Sequence, residues 1–248
     1  MGDSFTEGVG DPRPDGTLRG WADLVAASLA EHSPGLQYAN LAIRGRRFHR
    51  VLAEQVPAAL AMRPDLVSFA AGGNDALRPG FDLARMMDHF DAMVAGFRDS
   101  GADVILFRFA DLSRRLPLKR VLHERITAMN DAVADVGTRH GALVIDMFGD
   151  DGLAHPAAWS ADRLHLSALG HRRVAALVLA VLGWPPDAAW LALPDLEASS
   201  WLRTRGADLQ WACAHLGPWV RRRLAGRSSG DGRVPKRPVL EVVHQASG

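Results

Sequence analysis

Five residues of this chain have types and spacing suited to acyl-transfer chemistry, and they fall in four separate blocks. Ser4 lies in "GDSFTEG", Gly45 follows "NLAIR", Asn74 lies in "GGND", and Asp162 and His165 stand three apart in "DRLHLS". A serine hydroxyl is a weak nucleophile until a base takes its proton and donors hold the oxyanion that forms. The usual base is histidine, oriented by a carboxylate on its other ring nitrogen. One short loop carrying Asp162 and His165 could hold the carboxylate against the imidazole while the far side of the ring points to Ser4. Ser167 is placed to N-cap the next helix and so fix that loop. The backbone N–H groups of Ser4 and Gly45 and the side-chain amide of Asn74 are candidate oxyanion donors, and glycine at 45 suits close backbone approach. Each residue also has a plainer reading: turn chemistry for Gly73 and Asn74, and a surface loop position for His165.

Such groups need a rigid frame, and the hydrophobic pattern supplies one. "LQYANLAI" (36–43), "LVSFAAG" (66–72), "DVILFRF" (103–109) and "ALVIDM" (142–147) read as strands. They alternate with helical patterns over 19–32, 49–62, 81–99, 117–140 (Pro117 in the first turn) and about 167–182. Strands apolar throughout, alternating with helices, imply a parallel sheet covered on both faces. Ligands in such sheets collect at the carboxyl ends of the strands. Gly45, the Gly72–Asp75 turn, Asp111 and Asp146 all follow strands there, and the loop with Asp162 and His165 comes after the last one.

The order "GDSFTEG", "NLAIRG", "GGND", "DRLHLS" resembles the four-block pattern of the SGNH (GDSL-type) hydrolase family over about residues 2–183. The name-giving residues of that family fall on Ser4, Gly45, Asn74 and His165, with Asp162 completing a triad. The resemblance implies a flavodoxin-like three-layer α/β/α fold. It also implies ester hydrolysis through an acyl-serine intermediate, with no metal and no organic cofactor, on a small-molecule ester. A sugar or cell-wall O-deacetylase or acyltransferase with the same triad is an alternative, as is an inactive or interaction-only form. The acyl group, the alcohol, the pathway and the oligomeric state are not legible.

Other candidates have blander readings. His171 is expected as a polar helix residue, and His49 and His155 as solvent-facing loop residues near the blocks. Asp3 is expected to hydrogen-bond its own loop, and Asp75 to order its turn. Arg44, Arg46 and Arg47 read as a solvated cluster, with an anionic substrate as the sharper alternative.

The bulk numbers exclude several classes. The 248 residues carry a net charge of +1, so no overall charge draws the chain to nucleic acid or a membrane. Cys213 is the single cysteine, which excludes an internal disulfide and a cysteine-cluster metal site. The longest apolar run, "VAALVLAVLG" from Val174, falls short of the ~20 residues needed to span a bilayer. A soluble, cytoplasmic protein is expected on these grounds. The chain divides into a hydrolase domain over 1–185, a Trp-bearing helical extension over 186–224 and a disordered tail over 225–248. The segment from Arg221 to Arg237 has seven Lys or Arg and one acid, Asp231. It reads as a solubilising tail or, less plainly, as an anionic-surface contact.

"MGDS" raises a problem of support, because a nucleophile of this kind belongs at the carboxyl end of a buried strand. In the resembled fold that strand lies between "LQYANLAI" and "LVSFAAG". The expectation is therefore a truncated first strand, with Met1 an internal methionine of a longer native chain, a gap in the sheet at that place, and Ser4 less firmly held.

Overall fold

The computed structural model describes residues 1–116, 119–195, 213, 214, 217, 221 and 228–244. Its centre is β3 (Asp103–Arg108), an apolar run with a helix-bearing layer on each side. Val104 and Leu106 face one core, and Ile105 and Phe107 face the other. This is the period-2 alternation of a strand buried on both faces. β2 (Leu66–Phe69) and β4 (Leu143–Asp146) flank it in parallel register, with Ser68 opposite Ile105 and Leu106 opposite Val144.

The first core takes α3 (Phe48–Glu54), α6 (Leu83–Asp99) and α7 (Lys119–His140), through Phe48, Val51, Phe90, Val94, Phe97, Met129 and Val133. The second takes α2 (Trp21–His32) and α9 (Ala168–Val181), which pack on each other and contribute Trp21, Val25, Val174 and Val178. The result is a mixed α/β fold with a parallel sheet between helical layers. Most element boundaries match the sequence pattern to within three residues. The pattern over 49–62 is instead two helices, α3 and α4 (Val56–Ala61), because Pro57 in the first turn of α4 has no N–H to continue α3. The expected position of Pro117 lies outside the described residues.

The sheet is divided. β1 (Gln37–Asn40) does not join β2; it pairs antiparallel with β5 (Arg237–Val242). Met1 and Gly2 occupy the seam. Ala70 N donates to Met1 O and Ile43 N to Gly2 O, each at 3.3 Å, and Gly2 forms a parallel bridge with Ala70. Gln55, itself buried, serves as a side-chain stand-in for a neighbouring strand. Its Oε1 accepts from Gly2 N at 2.8 Å and its Nε2 donates to Gly2 O at 2.9 Å.

β5 corrects the expectation of a disordered tail for this part of 225–248. The Arg, Gly and Ser content averaged over the tail hides a six-residue run that pairs once β1 offers an open edge. Within the extension, Ala188–Trp190 form one 3₁₀ turn, and Trp190 packs on the second core. Trp201, Trp211 and Trp219 lie outside the described residues. Among the described residues, no helix is long and apolar enough to cross a membrane.

Candidate active site

Ser4 is the first residue of α1 (Ser4–Glu7), which starts immediately beyond the seam. Asp3 caps that helix, its Oδ1 accepting from Phe5 N at 3.2 Å. Asp3 therefore orders its own loop, as expected. Its Oδ2 also accepts from Asn74 Nδ2 at 2.9 Å, which ties the serine loop to α5 (Gly73–Ala76). Burial pushes the Asp3 carboxyl up to about 6, against the pull of the Phe5 N–H, the nearby His165 and the Asn74 amide.

Asp162 and His165 come together on their loop. His165 Nδ1 lies 2.5 Å from Asp162 Oδ2, and Asp162 Oδ1 accepts from Ser160 Oγ, Leu164 N and His165 N at 2.7, 3.0 and 2.9 Å. Burial works to raise the Asp162 pKa. The His165 ring, the His165 N–H and the Ser160 hydroxyl outweigh it and hold the carboxyl well below its ordinary value. It is ionised at neutral pH and fixes the Nδ1–H tautomer of His165, as the hydrogen-bond geometry requires. The loop is secured on both sides. Ser160 N donates to His165 O, Trp159 bridges Leu166, and Ser167 caps α9 while its Oγ donates to Ala157 O.

Ser4 and His165 face one cavity of about 90 Å³. Asp3, Asn74 and Gly73 share its wall, and the rest is almost wholly apolar: Phe5, Leu77, Phe109, Leu112, Met147 and Trp159 among others. No hydrogen bond joins Ser4 to His165. Catalytic contacts of this kind commonly tighten only when substrate is bound.

Three groups stand as expected oxyanion donors, in different states. The N–H groups of Ser4 and Gly45 have no protein acceptor among the described residues. Asn74 Nδ2 is fully engaged, with one hydrogen to Asp3 and the other to Arg46 O at 3.1 Å. Gly45 has φ 71° and is not part of the cavity wall. The neighbour that approaches it closely is the chain's own Ser228 and Ser229.

Several side chains take roles their local sequence does not announce. His171 is buried: Nδ1 accepts from Trp21 N at 3.2 Å and Nε2 donates to Val9 O at 3.1 Å. This corrects its reading as an ordinary polar helix position. Asp75 accepts from Phe48 N at 2.8 Å and so caps α3 rather than its own turn. Arg44 pairs with Glu7 and Arg46 with Glu54, while Arg47 and His49 are exposed. His155 caps the 3₁₀ turn that leads to Trp159. Neither His49 nor His155 lines the cavity. Among the described residues, no cluster of His, Cys, Asp and Glu is arranged to hold a metal ion.

A parallel sheet covered on both faces defines a three-layer α/β fold, in which Ser4 and His165 share one cavity and Asp162 pairs with His165. Residues 1–173 match the GDSL-like Lipase/Acylhydrolase family. The chain belongs to that family and is an ester-hydrolysing enzyme. An arylesterase from Vibrio mimicus is 28% identical over 167 residues, which is 63% of this chain and 78% of that protein. The structure of TesA superposes with a TM-score of 0.61 at 26% identity, over 73% of this chain and 94% of TesA. Axe2, an acetylxylan esterase from Geobacillus stearothermophilus, shares the fold with a TM-score of 0.60 at 21% identity, over 78% and 94% of the two chains.

Proposed function

We propose that the enzyme is a serine hydrolase that cleaves small carboxylic esters through an acyl-serine intermediate at Ser4. The observation that carries this reading is that His165, closely paired with Asp162, lines the same cavity as Ser4. Ser4 Oγ attacks the ester carbonyl carbon while His165 Nε2 takes the hydroxyl proton, and Asp162 stabilises the imidazolium that results. The Ser4 and Gly45 N–H groups hold the oxyanion. Asn74 joins them by releasing one of its two present acceptors. The C–O bond to the alcohol then breaks, His165 gives its proton to the departing oxygen, and water repeats the cycle on the acyl-enzyme to release the acid.

The cavity also bears on substrate class. At about 90 Å³ it is smaller than the ~150 Å³ engineered cavity that admits benzene. It suits a short acyl group. Its side-chain hydrogen-bonding groups are those of Asp3, Ser4, Asn74 and His165, together with the Trp159 indole N–H, which is already given to Leu153 O, and the remaining wall is apolar. That favours short acyl esters of apolar alcohols over acetylated sugars, and the arylesterase relative is consistent with this choice.

Hydrolysis of p-nitrophenyl acetate tests the reading. Ser4→Ala and His165→Ala should each abolish it, and a fluorophosphonate probe should label wild type but not Ser4→Ala. Wild-type rates in Ser4→Ala would sink the mechanism. A folded wild type with neither labelling nor turnover would favour the inactive form, and faster turnover of acetylated sugars than of aryl esters would favour the deacetylase.

A further inference from the structure

We propose that residues 228–236 form a strap that positions the oxyanion peptide, with Ser228 and Gly230 as its positioning residues. The proposal rests on the reading of Gly45 N–H as an oxyanion donor. Arg44 C=O and Gly45 N–H belong to one peptide unit, and Gly230 packs directly on the carbonyl side of that unit. A Cβ added to Gly230 would lie 2.1 Å from Arg44 O, so no larger residue fits there without moving the peptide. Ser228 holds the next peptide along, its Oγ donating to Gly45 O at 3.1 Å. Gly230 thus confines the peptide plane that sets the direction of the Gly45 N–H, and Ser228 holds the peptide that follows it. With φ 71° at Gly45, this segment has no helix or strand of its own to fix it.

The strap is rigid enough to act in this way. Ser228 N donates to Asp231 Oδ2 at 2.8 Å, Gly230 N to Ser228 Oγ at 3.2 Å, and Asp231 N to Ser228 O at 3.3 Å, closing a tight turn. Beyond that turn, Lys236 anchors the strap. Its Nζ donates to Glu7 O and Arg19 O, each at 2.7 Å, to Leu18 O at 3.3 Å, and to the carboxylate of Asp23. Pairing of β5 with β1 carries the anchorage onward.

Two of these contacts meet at the nucleophile helix. Glu7 is the last residue of α1, and its carboxylate accepts from Arg44 N at 2.6 Å and from Arg44 Nη2 at 2.6 Å. Lys236 therefore braces the far end of the helix that starts with Ser4, while Ser228 and Gly230 brace the second donor. A segment outside the matched residues 1–173 holds both donors in register.

The test is steady-state hydrolysis of p-nitrophenyl acetate at 25 °C by Gly230→Ala, Ser228→Ala and Ser228→Thr, each checked for folding by circular dichroism. Displacing a donor peptide should approach the loss of one oxyanion donor, so Gly230→Ala should lower kcat roughly 10²-fold with KM within about twofold of wild type. Ser228→Ala should lower kcat roughly 3–10-fold, the equivalent of one neutral hydrogen bond, and Ser228→Thr should restore it. The fluorophosphonate labelling rate should fall in step with kcat. A strap that only stabilises the fold would lower the melting temperature and leave kcat unchanged at 25 °C. Folded Gly230→Ala with kcat within twofold of wild type overturns the proposal. Where Gly230→Ala does not fold, equal kcat in Ser228→Ala and wild type overturns it. A folded wild type that neither hydrolyses the ester nor takes the probe refutes the esterase mechanism instead.

Discussion

Replacing Asp3 by asparagine should change how stability depends on pH. Burial raises the Asp3 carboxyl from its ordinary value near 3.8 to about 6 in the folded protein. A carboxyl whose folded pKa is raised favours the folded state where it is protonated, and that advantage is lost as pH climbs through the window from 3.8 to 6. At about 1.36 kcal/mol for each pH unit of that window, the full effect is about 3 kcal/mol, of which about 2 kcal/mol develops between pH 4 and 7. Asparagine removes this dependence. It also turns one acceptor into a donor, so either the Phe5 N–H or the Asn74 amide loses its partner, a pH-independent cost of about 1–3 kcal/mol.

His171 makes the experiment sharper. Burial lowers its pKa to about 4, against the Val9 carbonyl and Asp11, which pull it up. The unfolded chain binds this proton from about 6.5 downward, so the folded state loses up to about 3 kcal/mol as pH falls from 6.5 to 4. The Asp3 and His171 slopes have opposite sign over nearly the same window and offset each other in the wild type. Asp3→Asn should therefore steepen the acid-side loss of stability, which the lowered pKa of the buried Met1 amino group adds to in both proteins. Urea unfolding at pH 4, 5, 6 and 7 measures both curves, and the stability of Asp3→Asn relative to wild type should rise by about 2 kcal/mol from pH 4 to pH 7. A difference between the two proteins that stays constant to within ~0.5 kcal/mol over that range would refute the assignment of Asp3 as a buried, largely neutral group at mildly acidic pH.

Two further outcomes follow from the site and the seam. Trp159 forms a wall of the cavity and is pinned from behind, its Nε1 donating to Leu153 O at 2.7 Å and Arg115 lying 4.9 Å above its ring; Trp159→Ala should raise the octanoate-to-acetate ratio of kcat/KM for p-nitrophenyl esters by roughly tenfold, about 1.4 kcal/mol of discrimination, and an unchanged ratio would remove Trp159 as the limit on acyl length. Gln55→Leu leaves Gly2 N without its acceptor in a buried site, so thermal or urea unfolding should show a loss of about 1–3 kcal/mol, and a loss below ~0.5 kcal/mol would mean that the seam is held by its backbone contacts alone.

The parallel sheet was legible because its strands are apolar on both faces, and "DVILFR" can be read as a doubly buried strand without any partner in view. Ser167 was equally legible as a helix cap, since a cap needs only its own next three residues. His171 was not. Its burial depends on Val9 and Trp21, 162 and 150 residues away, and nothing in "ALGHRRV" distinguishes a satisfied core imidazole from a surface one. Asp75 sits in an evident turn, yet the helix it caps begins 27 residues earlier. β5 was hidden for a different reason. An exposed edge strand with only two of its six positions half-buried has almost no hydrophobic signature, so only the open edge of β1 marks it. Long-range polar contacts and edge pairings carry no periodicity, and periodicity is what a single sequence offers.

The same distinction explains how Ser4 is held. α1 has only four residues, well short of the ~12–15 needed for even marginal stability alone in water. Its direction must come from contacts outside it. At its start, Gly2 is clamped by Gln55, and Asp3 is tied to both Phe5 and Asn74. At its end, the Glu7 carboxylate grips Arg44, and the Glu7 carbonyl takes a hydrogen bond from Lys236. Those partners come from α3–α4, α5, the β1–α3 loop and the strap before β5. A side chain fixed by four such elements depends on the order of that whole end of the sheet. Substitutions at Gln55, Asn74, Arg44 or Lys236 should therefore affect turnover through the orientation of Ser4, although among these four only Asn74 lines the cavity.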